Sequence, residues 1–205
     1  MTASLPDSKQ RILVLDAMGV IYRVGDDVAD LLVPFIREQG GVEDASAIEA
    51  VYREASLGRF DAGEFWRRVG VSPSLEDEYL ARFELSEGVF DVLERAPTRF
   101  QSVVCLSNDL SEWSRKLRRR FHLEQHFAAW YISGDLQLRK PDSQIYARVL
   151  ADLGVPAARL VFVDDRVKNL DPAAELGFVT IHYHTDALGP GSRHRSIDRL
   201  AALLD

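Results

Sequence analysis

Five short apolar runs, rich in valine, isoleucine and aromatic residues, recur along the chain. They lie at residues 12–15, 103–106, 130–132, 160–163 and 178–182. Apolar and polar residues do not alternate within these runs, which is typical of parallel strands that are covered on both faces. The runs therefore predict five buried strands.

Helical patterns lie between the later runs. Residues 110–121 and 143–153 carry apolar side chains every three or four positions, and residues 169–176 form a shorter pattern that ends at Gly177. A glycine directly after such a pattern is typical of a helix C-terminus. The alternation of strands and helices predicts an α/β fold with a doubly wound parallel sheet.

Residues 26–87 lack a strand pattern and predict a helical insertion between the first and second strands. Four helices are expected there, at 27–39, 44–57, 62–69 and 75–85. Glycines or a Ser-Pro pair separate them. In the C-terminal part, residues 189–191 predict a loop and residues 197–204 a short closing helix.

Composition narrows the function classes. A chain of 205 residues with a net charge of −7 is long enough for one core with a smaller insertion and argues against a nucleic-acid partner. The single cysteine, Cys105, lies in an apolar run and is expected to be buried. The first residues lack a signal-peptide pattern and no run approaches the length of a membrane span, so we expect a cytoplasmic protein with no membrane partner. The sequence leaves homodimer formation open.

Polar residues follow each predicted strand at the point where it ends. Asp16 follows the first strand, and Ser107 and Asn108 follow the second. Lys140 comes after the third strand, and Asp164-Asp165 close the fourth. Because ligands of open parallel sheets bind at the carboxyl ends of the strands, we expect these side chains to share one site.

This set of residue types suits phosphoryl transfer. Asp16 could attack phosphorus and form an aspartyl-phosphate, while Ser107 and Lys140 hold the phosphoryl oxygens. Backbone N–H groups of Ala17 and Met18 could bind the same anion, and Asn108 is a further candidate for substrate binding. Carboxylates of Asp16 and Asp165 are suitable ligands for Mg²⁺.

Four segments resemble the motifs of the haloacid dehalogenase-like (HAD) hydrolase superfamily. They are D-A-M-G-V at 16–20, L-S-N-D at 106–109, R-K-P-D-S-Q-I-Y at 139–146 and F-V-D-D-R-V-K-N at 162–169. The resemblance is to the branch with a small helical cap after the first strand. It implies an α/β Rossmannoid three-layer core at residues 1–24 and 87–205, with a helical cap at 25–86.

The resemblance also implies roles for single residues. Asp16 would be the nucleophile and a metal ligand, Ser107 the phosphate-binding hydroxyl and Lys140 the lysine of the third motif. Asp165 would bind Mg²⁺ with support from Asp164, and Asn169 would close the fourth motif. The backbone carbonyl of Met18 would also coordinate the metal.

Met18 is the departure from the family pattern. Phosphatases of this family carry an aspartate there, which protonates the leaving group and then activates water. Three interpretations stay open: a Mg²⁺-dependent hydrolase of a small phosphate ester, a dehalogenase-type or other non-phosphate hydrolase, and a catalytically silent binding protein. The retained Asp164-Asp165 pair favours the first. The absence of lysine from residues 26–87 argues against a phosphonate-cleaving mechanism that uses a cap lysine.

Other polar residues have weaker indications. Asn108 and Asp109 are suitable helix caps, and the basic run at residues 115–120 predicts a solvated helix face. His182 and His184 favour packing or loop roles. If the insertion selects the substrate, the groups that could contact an anion or a ring are Tyr22, Arg23, Arg59, Arg67 and Arg68.

Overall fold

A six-stranded parallel sheet forms the centre of the computed structural model, which describes residues 10–184 and 194–205. The strands are β1 (Ile12–Leu15), β2 (Ser102–Ser107), β3 (Ala129–Ile132), β4 (Leu160–Asp164), β5 (Val179–Tyr183) and β6 (Arg195–Ile197). Their order across the sheet is β3-β2-β1-β4-β5-β6, and each adjacent pair is parallel. The five predicted strands are therefore present.

Helices cover both faces of this sheet. They are α1 (Val33–Glu38), α2 (Ala45–Ala55), α3 (Ala62–Arg68), α4 (Glu76–Leu80), α5 (Val89–Arg95), α6 (Ser111–Arg120), α7 (Ser133–Leu136), α8 (Ser143–Leu153) and α9 (Val167–Glu175). Leu13 and Leu15 of β1 pack into one hydrophobic cluster, and Ile12 and Val14 pack into another on the opposite face. This three-layer α/β arrangement confirms the predicted fold class.

The strand register brings the site residues to one edge of the sheet. Leu15, the last residue of β1, is level with Cys105 of β2 and Val163 of β4. Asp16 and Asp164 each lie one residue beyond this level, and Ser107 lies two residues beyond it. The central position of β1 therefore places Asp16 between the ends of its two neighbours.

The segment between β1 and β2 is helical, as the sequence predicts, but its helices are shorter than expected. A π-helical turn at Val28–Leu32 precedes α1, and a 3₁₀ turn at Pro73–Leu75 precedes α4. Asp44 and Asp61 cap α2 and α3 by accepting hydrogen bonds from backbone N–H groups. The division into a core at 1–24 and 87–205 and a cap at 25–86 stays a prediction.

A buried carboxylate fastens this helical segment to α6. Glu76 of α4 accepts hydrogen bonds from the indole N–H groups of Trp66 and Trp113, each at 2.9 Å. Lys116 of α6 pairs with the same carboxylate at 2.8 Å. Hydrogen bonds from indole N–H groups and an ion pair at a buried carboxylate both require a fixed geometry. These contacts therefore hold α3 and α4 at a defined position over the sheet.

The C-terminal prediction was wrong. Residues 197–204 do not form one helix: β6 ends at Ile197, and a 3₁₀ turn occupies Leu200–Leu203. The apolar residues that suggested a helix are buried, but Arg195 and Ser196 are exposed at the sheet edge, so β6 lacks an apolar run. The predicted loop at 189–191 lies outside the described residues.

Two further predictions concern the cysteine and membrane-spanning helices. Cys105 is free and buried, as predicted. Across residues 10–184 and 194–205, no helix combines the length and apolar character that a bilayer crossing requires.

Candidate active site

Asp16 lies in a tight turn directly after β1 and is 5% exposed. Its Oδ1 accepts a hydrogen bond from the Ala17 N–H at 2.6 Å and lies 2.7 Å from Lys140 Nζ. The backbone N–H groups of Ile21 and Tyr22 both donate to the Ala17 carbonyl at 2.8 Å, which closes the turn. The Ala17 N–H therefore serves the Asp16 carboxylate here, and its role in anion binding stays a prediction.

Lys140 joins the ends of two strands. Its buried Nζ lies 2.7 Å from Asp16 Oδ1 and 2.7 Å from Asp164 Oδ2. The Asn108 amide donates to the Lys140 carbonyl and accepts from the Lys140 N–H, both at 2.9 Å. Asn108 therefore does not cap a helix through its side chain but fixes the backbone of the lysine. Its contact with a substrate stays a prediction.

The two acids at the end of β4 differ in their hydrogen bonding. Asp164 Oδ1 accepts from the Arg166 N–H at 2.8 Å, and Asn169 donates to both Asp164 oxygens at 3.0 Å. With Lys140 included, each oxygen of Asp164 has two donors. By contrast, Asp165 Oδ1 is buried and forms no hydrogen bond within the described part of the chain; Arg166 Nε is 4.0 Å away.

Two glycines make room for the Asp165 side chain. A Cβ at Gly19 would lie 2.4 Å from Asp165 Oδ2, and one at Gly25 would lie 2.9 Å from it. Gly19 also has a φ of +75°, which disfavours other residues. His182 contacts the same loop, since its Nε2 lies 2.8 Å from the Asp165 carbonyl oxygen. The position of Asp165 is therefore defined from three segments of the chain.

Oxygen atoms of three carboxyl groups converge at this edge. One ligand atom from each of Asp16, Asp164 and Asp165 lies within 4.8 Å of the other two. Lys140 supplies one positive charge to the three acids. A divalent cation would balance the remaining charge. Asp165 Oδ1, which accepts no hydrogen bond from any described residue, is an oxygen ligand of the kind that Mg²⁺ prefers. These residues therefore fit a magnesium site.

Burial and charge shift the pKa values of the site. Burial raises the pKa of Asp16 well above its usual range, Asp164 raises it further, and Lys140 lowers it. Burial lowers the pKa of Lys140, but Asp16 and Asp164 outweigh this effect and raise it overall. Burial and Asp164 raise the pKa of Asp165 to about 6. A second cation would favour the ionised form of all three acids.

Ser107 presents a hydroxyl to the same region. It is 1% exposed at the end of β2, and its Oγ forms no hydrogen bond to any described residue. Buried hydroxyls in native structures are nearly always paired. An acceptor oxygen on a bound molecule would satisfy it.

A cavity of about 250 Å³ lies beside Asp16 and Ser107. Asp16, Met18, Ser107 and Lys140 line its floor. The helical segment after β1 contributes a second set of side chains that the sequence did not single out. These include Asp26, Asp27, Glu49, Tyr52 and Arg53; Arg139, Arg166 and Lys168 complete the charged lining.

The residues expected to select the substrate lie elsewhere. Within the described chain, the cavity lining does not include Tyr22, Arg23, Arg59, Arg67 or Arg68. Arg67 and Arg68 both pair with Glu64, at 3.0 and 2.8 Å, and Arg23 pairs with Glu84. Tyr22 is buried against Phe83. Besides Lys140, the cationic side chains that line the cavity are those of Arg53, Arg139, Arg166 and Lys168.

Comparison with known proteins gives similarities over most of the chain. The family model for haloacid dehalogenase-like hydrolases matches residues 10–177. The sesquiterpene phosphatase astK of Aspergillus oryzae is 24% identical over 165 residues, which cover 76% of this chain and 84% of that protein.

Solved structures share the fold. A magnesium complex of a HAD family enzyme from Bacteroides thetaiotaomicron has a TM-score of 0.72 at 20% identity and covers 84% of this chain and 92% of that one. A HAD phosphatase from Thermococcus onnurineus has a TM-score of 0.72 at 18% identity, covering 95% and 98%. Because the family model spans well over half of the sequence, the chain belongs to the haloacid dehalogenase-like hydrolases.

Proposed function

We propose that this hydrolase is a Mg²⁺-dependent phosphatase of a small phosphorylated metabolite, working through an aspartyl-phosphate on Asp16. The observation that carries the proposal is the convergence of Asp16, Asp164 and Asp165 within 4.8 Å, with the buried Oδ1 of Asp165 accepting no hydrogen bond from any described residue. Three converging carboxyl groups suit the binding of a divalent cation and a phosphate better than the binding of an uncharged substrate.

Three side chains would act on the phosphoryl group. Asp16 attacks phosphorus, and the bond from phosphorus to the ester oxygen breaks. Lys140, 2.7 Å from the nucleophile, stabilises charge on the carboxylate and on the phosphoryl oxygens. Ser107 donates its free hydroxyl to a phosphoryl oxygen. Backbone N–H groups of the turn after β1 complete the anion site.

The metal would be held by Asp16, Asp165 and the carbonyl of Met18. Mg²⁺ in that position would neutralise phosphate oxygens. Asp164 has two donors on each oxygen, so its role is to orient Lys140 and the following loop rather than to ligate. Asn169, which donates to both Asp164 oxygens, supports this arrangement.

The substrate would be enclosed by the helical segment. We propose that residues 25–86 act as the cap, because Asp27, Tyr52 and Arg53 line the cavity above Asp16. The phosphatase activity named for the Aspergillus oryzae relative supports a phosphate ester as substrate class. Action in the cytoplasm stays part of the proposal.

Release of inorganic phosphate from a panel of phosphate esters tests the proposal. We expect turnover in Mg²⁺, loss of turnover in EDTA and restoration on adding Mg²⁺ back. Asp16→Asn should abolish turnover, and Asp165→Asn should raise the Mg²⁺ concentration needed for half-maximal rate. Halide release from 2-haloacids that persists in EDTA would instead support the dehalogenase-type interpretation.

A further inference from the structure

Met18 leaves the proposed reaction without a proton donor in the turn after β1. When the ester oxygen departs from phosphorus it must receive a proton unless it is stable as an anion. A thioether has none to give, and Met18 lines the floor of the cavity where the donor is needed. Lys140 is already engaged with Asp16 and Asp164.

Asp27 is a buried carboxyl group that lines the same cavity from the helical segment. It lies at the start of the π-helical turn that follows β1, eleven positions after Asp16 in the sequence. Two other acids of this segment line the cavity, Asp26 and Glu49, but both are exposed. Of these three, Asp27 is the one removed from water.

The hydroxyl group of Tyr52 links Asp27 to the Asn108 carbonyl. Tyr52 Oη lies 3.1 Å from the Asn108 carbonyl oxygen and 3.5 Å from Asp27 Oδ2. A tyrosine has one hydroxyl proton, and a carbonyl oxygen can only accept. If Tyr52 donates to Asn108 over the shorter distance, Asp27 completes the set by donating its own proton to the tyrosine oxygen. When Asp27 is ionised, Tyr52 can turn its proton to the carboxylate, so this contact serves both protonation states of a general acid and base.

The charges around Asp27 come from several elements. Arg166 from the start of α9 and Arg139 from the loop before α8 attract its carboxylate, whereas Asp26 beside it and Asp109 after β2 repel it. Burial is the largest influence and raises the pKa of Asp27 to about 6. The group therefore titrates in the range where a general acid and base is effective.

We propose that Asp27, carried by the helical segment, is the general acid and base that replaces the aspartate missing at position 18. This inference rests on the proposed phosphatase function. As Asp16 bonds to phosphorus and the ester oxygen leaves, the Asp27 proton passes to that oxygen and yields the alcohol. The Asp27 carboxylate then takes a proton from water, whose oxygen attacks phosphorus, and the bond from phosphorus to Asp16 breaks to release phosphate.

Proton transfer to the leaving group can be tested separately by comparing two esters whose leaving groups differ in their need for a proton. The pre-steady-state burst of phenol release should be measured with phenyl phosphate and with 2,4-dinitrophenyl phosphate, whose leaving group needs no proton. Asp27→Asn should slow the phenyl phosphate burst by about 10²–10⁴-fold and leave the 2,4-dinitrophenyl phosphate burst within about threefold. Asp30→Asn, an exposed change in the same π-helical turn, should leave both bursts unchanged.

A measurement on the wild type makes the test independent of how the variant folds. The ratio of the phenyl phosphate burst to the 2,4-dinitrophenyl phosphate burst should fall as the pH rises above about 6, where Asp27 loses its proton. Equal slowing of both esters by Asp27→Asn, or a ratio that is flat with pH, would overturn the role of Asp27. If the wild type releases phenol from neither ester, the phosphatase proposal itself fails, and this inference with it.

Discussion

The ammonium group of Lys140 lies 2.7 Å from the Asp16 carboxylate, and both side chains are buried. The same ammonium group lies 2.7 Å from Asp164. Burial alone would drive the protons onto such acids, so the lysine is what opposes the rise in the pKa of Asp16. Two buried acids from neighbouring strands thus depend on one cation.

Removing that cation should destabilise the fold as well as the site. Lys140→Met leaves Asp16 and Asp164 buried without the cation that they share, and we expect a loss of about 3–5 kcal/mol in the free energy of unfolding. Lys168→Met is the matched control, because Lys168 also lines the cavity but is exposed; its effect should stay within about 0.5 kcal/mol. Urea unfolding in EDTA at neutral pH measures both. Equal stabilities of the two variants would contradict a structural role of the lysine charge.

Alanine substitutions at Gly19 and Gly40 distinguish the effect of backbone strain from the effect of crowding at the proposed metal site. Their φ angles are +75° and +73°, but a Cβ at Gly19 would meet Asp165 at 2.4 Å, whereas none of the described atoms lies within 4 Å of a Cβ at Gly40. Gly40→Ala should cost about 1–2 kcal/mol of stability and leave Mg²⁺ binding unchanged. Gly19→Ala should cost at least as much and also weaken Mg²⁺ binding, as measured by isothermal titration calorimetry. Unaltered Mg²⁺ affinity in Gly19→Ala would argue against Asp165 as a ligand.

Two buried serines differ in what their hydroxyls contact. Ser107 Oγ has no hydrogen-bond partner among the described residues, whereas Ser133 Oγ accepts from the Asp109 N–H at 3.0 Å and donates to the Ser56 carbonyl at 2.5 Å. Ser133→Ala should therefore lower stability by about 1–3 kcal/mol. Ser107→Ala should leave stability unchanged or slightly higher but weaken inorganic phosphate binding about 10–100-fold, since a hydrogen bond to an anion is lost. Thermal unfolding with and without phosphate distinguishes them, and destabilisation by Ser107→Ala would contradict its assignment.

The sequence predicted the part of the site that depends on strand ends. Asp16, Ser107 and Asp165 lie at or just past the ends of β1, β2 and β4, and the parallel register brings these strand ends together. Lys140 reaches the same end of the sheet from the loop before α8. Residues that reach the cavity from the helical segment were missed. Asp27 and Tyr52 are among them; Tyr52 stacks on Trp113 of α6, and no local sequence pattern encodes such a tertiary contact.

The prediction at the C-terminal edge of the sheet is wrong for a different reason. A central strand is recognisable because both of its faces are buried, but β6 has three residues and exposes Arg195 and Ser196. Its pairing with β5 rests on backbone hydrogen bonds, which do not require a particular pattern of side chains. The apolar residues that follow match a helical period although they form only a 3₁₀ turn.

Asp27 should also make stability depend on pH. Its pKa in the folded state is about 6, above the usual 3.8 of the unfolded chain, so the folded protein binds the proton more tightly. This contribution is present at low pH and is lost as the pH rises through about 6. Asp27→Asn should accordingly stabilise the protein by up to about 3 kcal/mol at pH 8, with the gain shrinking towards pH 4. Asp30→Asn controls for the change in charge alone, and a pH-independent effect of Asp27→Asn would contradict the shifted pKa.

Trapping the covalent intermediate tests the role of Asp16 most directly. The enzyme would be mixed with Mg²⁺ and 2,4-dinitrophenyl phosphate, quenched in acid and digested with trypsin. Peptide 12–23 contains one acidic side chain, Asp16. We predict one phosphoryl group on this peptide, removable by hydroxylamine and absent from Asp16→Asn. Turnover of the ester with no phosphoryl group on peptide 12–23 at any quench time would contradict attack by Asp16.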